Sequence, residues 1–136
     1  MKIYQTKTNK LTGTEFKEVR EKALVFYQII KRKSKRRTYV RSAYFKKEKV
    51  FIDIFWQHLF DKSWKDRVRR LKYFPPAIEL VQNSKLEPKS KENPNRKSEI
   101  FHRFTGVTKE KDLFFVQIKE DKKTSQKFLI SVFPDE

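Results

Sequence analysis

His102, Arg103, Lys119, Lys127 and Ser131 lie in one C-terminal stretch, and Arg41 stands in TYVRSAYF among aromatic and apolar neighbours. A histidine, cations and a hydroxyl suffice to cleave RNA without a metal. The ribose 2′-OH is the nucleophile and needs a base for its proton, and the 5′-oxygen needs a proton donor. Cations stabilise the charge that develops on the phosphorane. His102 is therefore the expected general acid or base. Arg41 and Lys119 are the expected phosphorane stabilisers, Lys127 a phosphate contact, and Ser131 the group that orients the phosphate. Each residue also has a plain structural reading. His102 fits as an ordinary strand histidine and Ser131 as a satisfied hydroxyl, while Lys119 and Lys127 would blunt a sheet edge. The second histidine, His58, falls between Trp56 and Trp64 and reads as a helix-surface or boundary residue.

Other chemistries find little support. Two glycines leave no GxGxxG fingerprint and no Walker A loop. The absence of cysteine removes disulfides, thiolate nucleophiles and cysteine-based metal sites. Asp53 and Asp61 flank His58 and would need Glu120 or Asp121 to hold Mg²⁺, and nothing in their spacing demands it. No metal and no other cofactor is expected.

Strands position the C-terminal residues. Phe114, Val116 and Ile118 alternate with Phe115, Gln117 and Lys119, and Phe128, Ile130 and Val132 alternate with Lys127, Leu129 and Ser131. Period two marks half-buried strands, and the polar stretch 120–126 between them predicts a hairpin. Unbroken alternation sets Lys119 opposite Lys127, Gln117 opposite Leu129 and Phe115 opposite Ser131. Lys119, Lys127 and Ser131 then share a mixed face, and the other face is apolar.

Helices dominate the rest. Thr12 and Glu15 have capping-box spacing, and Phe16, Val19, Ala23, Phe26, Tyr27 and Ile30 recur at helical spacing over 15–33. That helix ends in a basic run, KRKSKRR, whose Lys31, Arg32, Lys33, Lys35, Arg36 and Arg37 are expected to contact nucleic-acid phosphates along with Arg103 and Lys127. Residues 38–45 and 49–54 read as a short hairpin or as a strand leading into the next helix. A second helix is expected over 55–72, stopped by Pro75 and Pro76, and a third from Pro76 to residue 83. Residues 1–14 read as a loose arm and 84–98 as a long exposed loop.

A chain of 136 residues fits a single domain, here all of residues 1–136. Its 34 Lys and Arg outnumber 17 Asp and Glu, for a net charge of +17. Such a chain is drawn to polyanions through counterion release. RNA or another nucleic acid is the expected partner, ahead of a membrane, because no stretch joins a lysine-rich face to a strongly exposed apolar one. No transmembrane run and no signal peptide is legible, so a cytoplasmic location is expected.

The segments RSAYFKKEKVFIDIF, HRFTGVTKEKDLFFVQIKE and KFLISVFP, in this order, resemble the Barnase–EndoU–Colicin–RelE superfamily of metal-independent RNases, in particular its phage-associated branch. The resemblance implies a toxin-like endoribonuclease with a cleft on the open sheet face, and an acidic antitoxin as a partner. By position, His102 resembles the strand histidine of the family, Lys119 its basic group on the central strand, Ser131 its late-strand hydroxyl and Arg41 its early arginine. The expected fold is α+β, with N-terminal helices packed on one face of a C-terminal antiparallel sheet. The expected activity is metal-independent 2′-OH transesterification leaving a 2′,3′-cyclic phosphate. The alternatives are a basic nucleic-acid-binding protein without catalysis, and a basic subunit that binds an acidic protein or a ribonucleoprotein.

Overall fold

Apolar side chains at every second position give a C-terminal sheet whose central strand is Leu113–Asp121, with Phe114, Val116 and Ile118 fully buried on one face. A computed structural model describes residues 3–59 and 64–135, and the side chains at 57, 58, 64 and 65 lie outside that description. The strands in chain order are β1 (Tyr4–Gln5), β2 (Tyr39–Arg41), β3 (Lys49–Phe51), β4 (Lys89–Asn93), β5 (Arg96–Val107), β6 (Leu113–Asp121) and β7 (Lys127–Pro134). The helices are α1 (Phe16–Lys33), α2 (Asp53–Leu59), α3 (Trp64–Leu71) and α4 (Phe74–Asn83).

The architecture is α+β, and it differs from expectation in two ways. The sheet is mixed rather than antiparallel. Its order is β1-β5-β6-β7-β3-β2, with β4 also on β5, and β1 lies parallel to β5 while β3 lies parallel to β7. Nor do the helices form an N-terminal block, since β1 precedes them and β2 and β3 separate α1 from α2. The physical reason is that the short β-prone runs YVR and KVF, too small to stand as an isolated hairpin, join the main sheet at Lys127 and Phe128.

Helix α1 lies almost where its stripe predicts, but Thr12 does not cap it. Glu15 is the N-cap without a side-chain cap bond, and the Thr12 hydroxyl and carbonyl accept from Lys22 Nζ. Ser34 ends the helix in an extended conformation, its Oγ donating to Ile30 O at 2.9 Å. The expected helix over 55–72 corresponds to α2 and α3, with residues 60–63 outside the described set. Pro75 and Pro76 sit in the first turn of α4, where a missing N–H costs nothing. Phe74, fully buried, gathers Phe26, Tyr27, Phe55 and Trp56, with Phe55 stacked on it at 5.5 Å.

Two stretches expected to be irregular belong to the sheet. The N-terminal arm contributes β1, whose Tyr4 sits beside Gly106. Glu79 on α4 holds it by accepting from the Lys7 and Thr8 amides at 2.8 and 2.9 Å and from the Tyr4 hydroxyl at 3.3 Å. The stretch 84–98 contains β4 and the start of β5, a hairpin turned at residues 94 and 95. Its polar composition hid it because both faces there are largely exposed, so no apolar alternation was needed.

Candidate nucleic-acid interface

A one-residue irregularity in β7 decides where the candidate residues point. Gln117 pairs with Ser131 and Ile118 with Leu129, leaving Ile130 without a partner in the ladder. An extra residue of this kind reverses the alternation beyond it. Lys127, Leu129 and Val132 therefore all face the core, whereas Phe128, Ser131 and Phe133 face the other way. The expected register is corrected accordingly. Lys119 lies opposite Phe128, Gln117 opposite Ser131 and Phe115 opposite Phe133.

The proposed catalytic group is consequently divided between two faces. His102 and Lys127 are on the core side. His102 is 8% exposed and sits in a hydrogen-bonded row. Its Nε2 meets Glu120 Oε1 at 2.8 Å and its Nδ1 meets Ser90 Oγ at 2.6 Å. A carboxylate only accepts, so Nε2 donates, and in the neutral ring Nδ1 accepts the Ser90 O–H. Phe45 packs on the imidazole edge-on with centroids 5.0 Å apart. Lys127, 3% exposed, reaches both Glu48 oxygens at 3.3 Å, the Ser125 carbonyl at 3.0 Å and Glu120 Oε2 at 3.9 Å. The expected phosphate contact is therefore placed in a buried ion pair. His102, the expected acid or base, thus has both ring nitrogens engaged and lies on the opposite face from Lys119 and Ser131.

Arg41 is an exposed residue on the edge strand, donating from Nη1 to Lys47 O at 3.0 Å and lying over Tyr39. In the basic run, Lys31, Arg32 and Lys33 form the last turn of α1, and Lys35 and Arg36 are exposed beyond it. Arg37 differs from its neighbours. It makes a two-pronged pair with Asp53 at 2.9 Å for both bonds, and its guanidinium covers Phe51 and Phe128 at 4.5 and 5.4 Å. The hydrogen bond to Asp53, acting against burial, raises its already high pKa. Asp53 is thereby occupied, and among the described residues no group of three or more His, Asp or Glu is arranged to hold a metal ion.

What the fold brings together lies on the open face of β5, β6 and β7. Arg103, Gln117 and Ser131 form one row across the three strands. Arg70 reaches that row from α3, which packs beside β7 beyond the point where β3 leaves it. Arg70 Nη1 donates to Ser131 Oγ at 2.9 Å, and its buried Nε has no hydrogen-bond partner among the described residues. Both Arg70 and Arg103 lie on the Phe133 ring, at 5.5 and 5.4 Å, and Arg103 also lies 5.8 Å from Phe115. Lys119 extends the pattern with Phe128 at 5.4 Å. Beside the row, Lys89, Lys91, Phe101, Arg103 and Gln117 line a cavity of about 330 Å³.

Carboxylates stand at one end of this face. Glu99 pairs across the ladder with Asp121 and lies 3.4 Å from Lys119. A hydrogen bond from Asn93 holds the Glu99 carboxyl below its usual range against the opposing effect of burial, with Lys119 adding to it. Sequence reasoning had Ser131, Lys119 and Arg103 but missed Arg70, Gln117 and the aromatic pair Phe115 and Phe133. The signal for Arg70 was present, as a cation off the apolar stripe of its helix, but it did not differ from the neighbouring Arg67 and Arg69.

Comparison with known proteins adds no assignment: no protein-family model, no curated protein and no solved structure matches this chain.

Proposed function

We propose that the chain binds single-stranded RNA on the open face of its sheet. The observation that carries the reading is the row Arg103–Gln117–Ser131 with Arg70, beside the paired rings of Phe115 and Phe133. Arginines take phosphates, half-buried aromatic rings on an open sheet take unpaired bases, and a glutamine amide can meet a base edge. The net charge of +17 supplies attraction at longer range. RNA rather than DNA is the reading because three segments resemble RNases. A cytoplasmic location belongs to it.

The test is fluorescence anisotropy with a labelled 12-nucleotide RNA and its DNA counterpart. Loss of a stacking ring is worth about 1–3 kcal/mol per base, so Phe115→Ala and Phe133→Ala should each weaken RNA binding by roughly 5- to 150-fold. Affinity indifferent to both substitutions and to Arg103→Ala overturns the reading.

Cleavage is the second reading, favoured by the Arg70–Ser131 bond. Two arginines, a lysine and an oriented hydroxyl on one face would stabilise a phosphorane. This is the metal-independent endoribonuclease expected from the resemblance, with Arg70 and Arg103 taking the roles first given to Arg41 and Lys127. Incubation with mixed-sequence RNA in EDTA should give 2′,3′-cyclic phosphate ends, with DNA and 2′-O-methyl RNA left whole. His58→Ala and His102→Ala then report whether either histidine moves the proton. Intact RNA alongside tight binding leaves the binding reading alone.

A further inference from the structure

A second cavity shares no lining residue with the one beside the open-face row and has a different chemistry. It holds about 920 Å³ between α1, the edge strand β2 and the end of α4. Its apolar floor is Ile29, Ile30, Val40 and Ala43. Its rim is Lys33, Arg41, Lys46, Lys47 and Lys85, and no carboxylate lines it among the described residues. Ile29 is 47% exposed and Val25, one turn earlier on α1, is 64% exposed. These two extend the apolar floor onto the helix surface as an i, i+4 pair. Among the described residues, these two and Ile3, at 38%, are the exposed large apolar side chains.

The backbone presents the rim lysines deliberately. Lys46 and Lys47 both have left-handed φ, 55° and 67°, which side chains other than glycine adopt at a cost. The turn is held there by Arg41, which donates to Lys47 O, and by Lys47 N donating to Ser42 O at 2.7 Å.

We propose that this groove docks an acidic segment of a partner protein that carries apolar anchors. Charge complementarity selects the occupant. A second copy of this chain would bring +17 against +17. RNA would leave Val25, Ile29 and the floor without apolar contacts. A carboxylate-rich segment with leucine-like side chains satisfies both floor and rim, and it occupies a surface separate from the RNA face. The proposal does not rest on the RNA reading.

The test uses a fluorescent 14-residue peptide of alternating Glu and Leu blocks, a poly-Glu peptide of equal charge, and a phosphatidylserine vesicle. The Glu/Leu peptide should bind at least tenfold more tightly than poly-Glu, and its amide-shift changes should cluster at residues 25–33, 40–47 and 82–85. Ile29→Glu, a substitution at an exposed position, should weaken the peptide tenfold or more with unchanged thermal melting and unchanged RNA affinity. Equal affinity for the two peptides, shift changes centred on the Arg103 row, indifference to Ile29→Glu, or a preference for the vesicle would each overturn the proposal.

Discussion

Two lysines eight positions apart, Lys119 and Lys127, have opposite fates. Lys119 faces outward over Phe128, whereas Lys127 is buried beside Glu48 and Glu120. Substitution separates them. Lys127→Ala should lower stability by roughly 1–3 kcal/mol, since it removes hydrogen bonds to a charge in a buried setting, and should leave RNA affinity within about twofold when the comparison is made below the melting temperature. Arg103→Ala should do the reverse, with little change in urea midpoint. The slope of log affinity against log salt should become shallower by about 0.7, the value of one phosphate contact on a single strand. The residue types at these positions were legible in the sequence, but their faces were not. Alternation in KFLISVFP reads equally well with or without an irregularity, and only pairing with β6 reveals that Ile130 is supernumerary.

Among the elements, β1 shows how a short polar strand is kept in place. Two residues of parallel pairing to β5 give little, and Glu79 on α4 supplies the remainder. Burial opposes ionisation of Glu79, but bonds from Thr8, Lys7 and Tyr4 hold its carboxyl below the usual range. A depressed folded pKa contributes stability that is present above the unfolded value and is lost as pH falls through the folded one. Acidification below about pH 4.3, the ordinary glutamate value, should therefore loosen β1 first, seen as faster amide exchange at residues 4–8 than in β5 or β6. Glu79→Gln should show that faster exchange already at neutral pH. The helices and the β6–β7 hairpin could be read from periodicity because each buries a single face. Strands β1 and β4 could not, because their residues are held by backbone pairing and by partners distant in sequence, such as Glu79 and Arg103.

For the molecule as a whole, the spacing between helix layer and sheet is set at Gly106. A Cβ there would lie 2.6 Å from the Phe114 ring and 2.7 Å from Leu80 Cδ1, so α4 and β5 approach as closely as a hydrogen side chain allows. Gly106→Ala should cost about 1–3 kcal/mol by overpacking, read as a lower urea midpoint with an unchanged slope. Loss should extend to β1, which pairs at the same residue. The α+β class was legible from the two periodicities, while the mixed sheet was not, because parallel pairing of β3 with β7 joins residues more than seventy positions apart.

The supernumerary Ile130 behaves like a spacer that restores parity. In an uninterrupted strand Ser131 would turn inward and Val132 outward, exchanging a hydroxyl for a methyl-rich side chain on both sides of the sheet. Removing Ile130 should preserve every inward and outward assignment, because the remaining residues then alternate without it. Inserting one residue at the same place also lets the strand alternate with these faces, but it slides the segment 131–134 by two positions against β6 and sets Ser131 opposite Phe115 rather than Gln117. The strand thus tolerates shortening where it does not tolerate lengthening, and deletion and insertion variants compared by thermal melting should fall on opposite sides of that asymmetry.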